Sequence, residues 1–163
     1  PNQTGMYLNS TLAGFTTGGN WITELSSTRI AITDGQVSSG SNRDNVVYSF
    51  KSIEGFSKIG SYTGNGNANG AFVYTGFRPA FVLGKSITSG GDNWFVFDNK
   101  RDVDNVVGAD LNPDSTATEA TSSYMDFVSN GFKLRSTSGL VNDATTFVYM
   151  AFAEQPFKFS NAR

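Results

Sequence analysis

The sequence predicts an all-β protein whose strands form an antiparallel β-sandwich, of the jelly-roll type or a related one. Short aromatic and β-branched runs are bounded by Gly, Asn, Ser or Asp, which is how strands and turns are punctuated in a sequence. Several of these runs alternate with period two, whereas helical periodicity is weak along the whole chain. Closely spaced strands with glycine-rich turns are typical of sandwiches and barrels.

Period two is clearest in two of the predicted strands. In the first, Ile30 and Ile32 share one face. In the second, Phe132 and Leu134 point inward, while Lys133 between them points outward. This alternation is expected of strands that are buried on one face only.

The other predicted strands are short apolar runs between turn-forming residues. Residues 94–98 are apolar on both faces, which suits a strand that is covered on both sides. Residues 114–120 could hold one helical turn, and we expect a loop there. In chain order, the predicted strands lie near residues 28–33, 45–52, 71–75, 80–84, 94–98, 124–128, 131–136 and 146–153.

Composition excludes several classes of function. The chain has 163 residues, enough for one domain with a sizeable core, and only 16 % of them are charged. A net charge of −2 leaves no cationic surface for nucleic acid, and no apolar run is long enough to insert into a membrane. Because the chain contains no His and no Cys, it lacks every Ser/His or Cys/His catalytic pair and any disulfide.

An internal repeat is the most informative pattern in the sequence. Residues 47–56 resemble residues 148–157 at a displacement of 101 positions. Upstream, residues 30–32 align with 132–134, and Trp21 aligns with Tyr124, at displacements of 102 and 103. The competing interpretation is that aromatic-rich strands of any β protein look alike.

The repeat predicts how the chain is organised. Residues 1–52 are expected to be the second half of a truncated preceding unit, and residues 53–163 a complete C-terminal sandwich unit. The strand at residues 46–48 should then be equivalent to the strand at residues 147–149. A chain that starts in mid-repeat is expected to be cut from a longer polypeptide.

Four segments together resemble a repeat module of bacteriophage virion proteins. They are residues 56–66 (FSKIGSYTGNG), 70–80 (GAFVYTGFRPA), 127–135 (FVSNGFKLR) and 151–158 (AFAEQPFK). Such modules occur in tail fibres and tail-associated structural proteins of phages of marine and freshwater bacteria. The resemblance implies a virion protein that is synthesised in the host cytoplasm, and it implies no active site.

Two loops are candidate ligand sites with simpler explanations. Residues 64–70 (GNGNANG) are rich in glycine but lack the Lys-Ser/Thr and the helix of a phosphate-binding loop, so a flexible turn is the preferred interpretation. Residues 98–105 offer oxygen ligands suited to calcium but fit no EF-hand pattern, so a solvated loop is preferred. Whether Asp102 and Asp104 bind a cation stays open at this point.

Carboxylates and aromatic residues are the remaining candidates for catalytic and sugar-binding residues. Paired carboxylates could hydrolyse glycosides, but no spacing singles out two of the candidates, which are Glu24, Glu54, Glu119, Glu154, Asp92, Asp98 and Asp126. Four aromatic residues could stack on sugars if they were exposed, although core packing is the default expectation for Trp21, Tyr62, Trp94 and Tyr124. The sequence therefore predicts no catalytic residue, no cofactor and no metal ligand.

We therefore expect a non-enzymatic virion structural protein of the tail or tail fibre. It would form a homo-oligomer or a repeated subunit, contact other virion proteins, and have a host-surface glycan as a candidate partner. Two alternatives remain open. One is a capsid decoration protein, and the other is a stand-alone carbohydrate-binding module.

Overall fold

The computed structural model describes residues 3–17, 22–32 and 46–156. The chain divides into two compact units. The first comprises Pro1–Met6 and Gly14–Ser49, and the second comprises Tyr7–Ala13 and Phe50–Arg163. No helix in the described ranges is long and apolar enough to cross a membrane.

The first unit contains two short antiparallel hairpins. Strands β1 (Gln3–Gly5) and β2 (Phe15–Thr17) form one, and β3 (Ile22–Leu25) and β4 (Ile30–Ile32) form the other. The Ser26 hydroxyl organises the second turn, because it accepts hydrogen bonds from the main-chain N–H groups of both Thr28 and Arg29. Side-chain capping of this kind fixes a tight turn without a glycine.

The second unit is a sandwich of two four-stranded antiparallel sheets. Sheet I has the order β5-β12-β7-β8 and sheet II has the order β6-β11-β10-β9. The first strand of the unit thus lies beside the last, and the second beside the last but one. The strands are β5 (Ser57–Thr63), β6 (Phe72–Tyr74), β7 (Pro79–Ser86), β8 (Phe95–Asp98), β9 (Val107–Asp110), β10 (Ala120–Val128), β11 (Gly131–Leu134) and β12 (Thr146–Ala153).

The core lies between the two sheets and is built by strand alternation. In β11, Phe132 and Leu134 are fully buried while Lys133 is half-exposed, as the sequence predicts. Sheet I contributes Tyr62, Val82, Phe95, Phe97, Phe147, Tyr149 and Ala151, and sheet II contributes Val73, Val107, Met125, Phe127, Phe132 and Leu134. The predicted all-β sandwich is confirmed.

The two sides of the sandwich differ. On one side, Val96 of β8 and Leu111, which follows β9, exchange main-chain N–H···O bonds of 2.8 and 3.3 Å that join the edges of the two sheets. On the other side, β5 and β6 are the edge strands, and no described strand pairs with either edge. The sandwich is therefore closed along one side only.

The structure agrees with most predicted strands and corrects one. Strands β4, β6, β7, β8, β10, β11 and β12 fall on predicted ranges, and residues 114–119 form a loop. Residues 46–50, in contrast, form no strand, so the strand predicted at 45–52 is wrong over the residues described. The alternation of this segment suits a sheet, but no strand among the described residues pairs with it.

The predicted repeat is matched in one hairpin only. Ile22 pairs with Ile32 across β3 and β4, and the aligned residues Met125 and Leu134 pair across β10 and β11. The expected equivalence of residues 46–48 with 147–149 is wrong, because only the latter lie in a strand. The duplication itself stays a prediction, and Trp21 lies outside the described residues.

One buried asparagine organises the loop between β5 and β6. Asn142, in the single-turn helix α1 (Gly139–Asn142), is fully buried. Its Oδ1 accepts from the Asn65 N–H at 3.0 Å, and its Nδ2 donates to the carbonyls of Asn67 and Ser136 at 2.8 and 2.7 Å. The glycine-rich segment, predicted as a flexible turn, is instead tied to the helix by these bonds.

We expect Asn142→Ala to lower the free energy of unfolding by about 3 kcal/mol, because three loop groups lose their buried partner. Chemical denaturation measures this loss. Asn69→Ala is the matched control, since the Asn69 side chain is exposed in the same loop and makes no hydrogen bond, and it should cost less than about 0.5 kcal/mol. Equal losses in the two variants would contradict the assigned role of Asn142.

Candidate functional site

Three of the aromatic residues that were candidates for stacking on sugars make contacts within the protein. Tyr62 is buried, its hydroxyl donates to the Val141 carbonyl at 2.7 Å, and burial raises its pKa well above 10.0. The Trp94 indole N–H donates to the Tyr7 carbonyl at 2.8 Å. Tyr124 is half-buried with its ring centroid 5.2 Å from that of Phe97. Tyr62 therefore offers no free ring face, and Trp94 and Tyr124 are half-exposed.

Two of the candidate carboxylates meet at one arginine. Arg101 bonds Asp98 through Nε at 2.7 Å and Glu119 through Nη1 at 2.8 Å, while Nη2 donates to the Val96 carbonyl at 2.9 Å. Although burial acts to raise the pKa of Asp98, hydrogen bonds from Arg101 and from the Lys100 N–H hold it below its usual value. A general acid needs the opposite shift, so this cluster fixes the loop after β8.

Most of the other candidate carboxylates are also engaged within the protein. Glu154 accepts from Arg78 and from the Asn99 amide, each at 2.8 Å. Asp126 bonds Arg135 at 2.5 Å, and Glu24 forms an exposed pair with Arg29. Glu54 is exposed and has no described partner. These contacts bring no second pair of carboxylates together.

The aspartate-rich loop uses its carboxylate to hold the main chain. Asp102 Oδ2 accepts from the N–H groups of Gly108 and Ala109 at 2.7 and 2.5 Å, whereas Asp104 is exposed. Across the described ranges, no three His, Cys, Asp or Glu residues are grouped to hold a metal ion. The preferred interpretation of Asp102 is thus the joining of the loop to the start of β9.

Lys85 is a buried charge that the sequence analysis missed. It is fully buried, and its ammonium donates to the main-chain carbonyl of Asp92. Burial lowers its pKa, an effect that Asp114 and Asp92 oppose. The loop after β7 folds over it and is fastened by a bond from the Gly91 N–H to the Thr11 carbonyl at 2.9 Å. A reactant has no access to this amine.

The outer face of sheet I presents a row of apolar side chains to solvent. Register places Ile59, Met150, Leu83 and Val96 in one row that crosses all four strands, and each is half-exposed or exposed. Beside this row, Phe152 is surrounded by three aromatic rings at 6.0–6.2 Å, namely Phe50, Phe56 and Phe81. We call this row and these rings the outer apolar face.

The outer face of sheet II carries two exposed rings of β6. Phe72 is 48 % exposed and Tyr74 is 64 % exposed. Each has a glycine beside it, since a Cβ on Gly131 would be 3.1 Å from the Phe72 ring, and one on Gly76 would be 3.6–3.9 Å from the Tyr74 phenol. No side chain of Gly131 or Gly76 therefore covers the two rings. We call this pair the aromatic face.

Charged groups lie beside the aromatic face. In the register of sheet II, Lys133 is opposite Phe72, and Asp126 is opposite Lys133 on the next strand. Lys133 donates to the Gly70 carbonyl, and Asp126 is paired with Arg135. The face thus combines two apolar rings with fixed hydrogen-bonding groups. Sequence reasoning missed it, because nothing in the residue pattern distinguishes Phe72 and Tyr74 from core rings.

Asp98→Asn should change the dependence of stability on pH. A carboxylate with a lowered folded-state pKa contributes stability fully above the usual value of 3.8, and loses it as the pH falls through the folded-state value. At pH 7 we expect the variant to be less stable by about 1–2 kcal/mol, and the difference to shrink toward pH 3. Urea denaturation across this range measures it.

Glu24→Gln is the control, because its pair with Arg29 is exposed and 3.4 Å long. It should lower the stability at pH 7 by less than about 0.5 kcal/mol. A difference between Asp98→Asn and wild type that stays constant from pH 7 to pH 3 would show that the shifted carboxylate is not the cause.

Comparison with known families assigns the chain to a family. A family model described as a domain of unknown function (DUF7483) matches residues 2–156. No curated protein and no solved structure matches the chain. Because the matched range covers nearly all of the sequence and both of its compact units, the chain belongs to the DUF7483 family.

Proposed function

We propose that the protein is a non-enzymatic structural component of a bacteriophage virion, in the tail or tail fibre. It acts by contact with copies of itself and with other virion proteins. The outer apolar face is the observation that carries the contact role. The four sequence segments that resemble phage virion modules carry the assignment to a virion.

The outer apolar face is unusual for a sheet that borders water. Antiparallel sheets with one solvated face normally present polar residues there. Here an apolar row spans four strands, from Ile59 on the edge strand β5 to Val96 on the edge strand β8. Contiguous exposed apolar surface of this kind marks interaction sites.

The charges of the second unit support contact through neutral surface. Three of its arginines, Arg78, Arg101 and Arg135, are bound to carboxylates of the same unit. These three charges are thus neutralised within the unit and do not steer a partner over long distances. A protein displayed in many copies can tolerate weak individual contacts, because multivalency raises the overall affinity.

Locating the protein in purified phage particles tests the assignment. Gold-labelled antibody or a particle reconstruction should place it in the tail, whereas a position on the capsid would favour the decoration-protein alternative. Absence from particles would contradict the proposal. So would turnover of polysaccharide or peptidoglycan that is abolished by replacing a single carboxylate.

We expect Leu83→Glu to weaken self-association at least tenfold, because it places a charge in the middle of the outer apolar face. Sedimentation velocity over a concentration series measures the change, and circular dichroism checks that the sandwich is retained. Thr121→Glu on the exposed part of β10 is the matched control and should associate like wild type. If wild type, Leu83→Glu and Thr121→Glu associate equally, the outer apolar face is not the surface of self-association.

The aromatic face favours a second candidate function, carbohydrate binding. A sugar ring has an apolar C–H surface that packs on an aromatic ring, and its hydroxyls bind nearby polar groups. Phe72 and Tyr74 offer two such rings, and Lys133 lies beside Phe72. Within a virion this face would provide adhesion to a host-surface glycan. Outside a virion it would make the chain a carbohydrate-binding module.

We expect Phe72→Ala and Tyr74→Ala each to weaken glycan binding about tenfold, which corresponds to about 1.4 kcal/mol. A glycan array identifies the ligand, and calorimetry of wild type and variants then measures the loss. Val103→Ala, which shortens a 72 % exposed apolar side chain in the loop after β8, is the control and should bind normally. Glycan binding on the array that survives both substitutions would exclude the aromatic face as the binding site.

A further inference from the structure

Residues 46–50 (VVYSF) form an apolar segment that is left exposed. Val46, Tyr48 and Phe50 are 78 %, 80 % and 57 % exposed. The peptide groups of residues 46–50 have no hydrogen-bond partner among the residues described. Exposed apolar side chains together with unpaired peptide groups are what a strand without a sheet would present. We call these residues the donor segment.

The sequence of the donor segment matches a strand that pairs with β5. In the internal repeat, Val46, Tyr48 and Phe50 align with Phe147, Tyr149 and Ala151 of β12. Those three residues are the buried face of β12, which pairs with β5 along its whole length. The donor segment thus carries the same alternation, with its large apolar residues on one face and Val47 and Ser49 on the other.

The outer edge of β5 has room for such a strand. The N–H and C=O of Ser57 bond to Ile53, and the Ile59 N–H bonds to the Ser52 hydroxyl at 3.0 Å, so these groups point away from β12. By strand alternation, the N–H and C=O groups of Ser61 and Thr63 also point to this edge. No described group bonds to them there.

The chain leaves its own β5 edge before the donor segment could pair with it. Continuing the Ile53–Ser57 bridge as a ladder would place Lys51 opposite Ile59, but the Ser52 hydroxyl bonds the Ile59 N–H instead. The Ser57 hydroxyl then bonds the Lys51 carbonyl at 2.8 Å. These two side-chain bonds divert the chain, so the edge beyond Ile59 stays open to a strand from another molecule.

We propose that the donor segment of one copy adds as a fifth strand to sheet I of a second copy, antiparallel to β5, with Ser49 opposite Ser61. This register places Tyr48 beside Tyr62 and Phe50 beside Gly60, so that Phe50 leaves the Phe152 ring of its own copy. The Tyr149 ring fills the place of a side chain at Gly60, with atoms 3.2 Å from where its Cβ would lie, and gives Phe50 a surface to pack on. Val47 and Ser49 then face outward.

Strand addition meets two requirements at once. The incoming main chain satisfies the free peptide groups of Ser61 and Thr63, and the partner's sheet covers the apolar side chains of the donor segment. This inference goes beyond the proposed function, because it concerns how copies join and does not depend on the particle being a virion.

The absence of native cysteine allows a direct test by crosslinking. Opposed residues of a hydrogen-bonded antiparallel pair have Cα atoms about 5.5 Å apart, which a disulfide spans. One preparation carries only Ser49→Cys and the other only Ser61→Cys. Mixed under mild oxidation at a concentration where the protein self-associates, they should form a disulfide-linked heterodimer.

Two controls make the crosslink specific. Ser49→Cys mixed with Ser129→Cys, an exposed serine in the turn between β10 and β11, should give at most a tenth of that heterodimer. Tyr48→Asp added to the Ser49→Cys preparation should abolish it, because it places a charge against Tyr62. Both variants alter exposed residues, so they are expected to fold.

Three outcomes would overturn the proposal. The first is equal crosslinking by Ser61→Cys and Ser129→Cys. The second is a chain carrying both Ser49→Cys and Ser61→Cys that closes its disulfide only within one copy. The third is self-association that persists in Tyr48→Asp but is lost in Leu83→Glu, which would leave the contact role intact and assign it to the outer apolar face.

Discussion

Rings that meet edge to face between the two sheets determine much of the second unit. Phe132 of sheet II contacts Tyr62 and Tyr149 of sheet I, with centroid distances of 5.8 and 5.4 Å. A tyrosine buried at this place must bond its hydroxyl, and the Val141 carbonyl of α1 accepts it. Because α1 is held there, the adjacent Asn142 reaches the loop between β5 and β6. The packing of one tyrosine in the core therefore determines how a loop at the surface is held.

The polar groups of the second unit are used largely inside it. Arg101 gathers two carboxylates, Asp102 holds the start of β9, and Lys85 is covered by its own loop. What the outer face of sheet I presents is an apolar row across its four strands. Such a surface suits contacts that depend on shape and packing more than on charge.

The predictable part of the fold is where large apolar side chains alternate. Strands β11 and β12 were predicted for this reason. Strand β5 was not, because its inward positions include Lys58 and Gly60, and neither was β9, whose sequence Val-Gly-Ala-Asp is mostly small residues. Residues 46–50 show the converse, since an alternating pattern predicts a preference for a sheet but cannot provide the neighbouring strand.

The candidate surfaces were less predictable than the fold. Strand pairing and a turn bring Gly131 and Gly76 beside Phe72 and Tyr74, and the loop that covers Lys85 is bonded to Thr11, more than seventy positions away in sequence. Period two shows that a side chain lies on one face of a strand. It does not show whether water or another part of the molecule covers that face.

The bridge between Val96 and Leu111 makes the two sides of the sandwich unequal. With one side sealed by main-chain bonds, a further strand can be accepted only on the side of β5 and β6. A body with one accepting side and no equivalent opposite side cannot extend as a continuous sheet in both directions, which is how edge-to-edge aggregation spreads. Assemblies built through that side must be paired, cyclic or polar filaments, so they would have distinguishable ends unless they close on themselves.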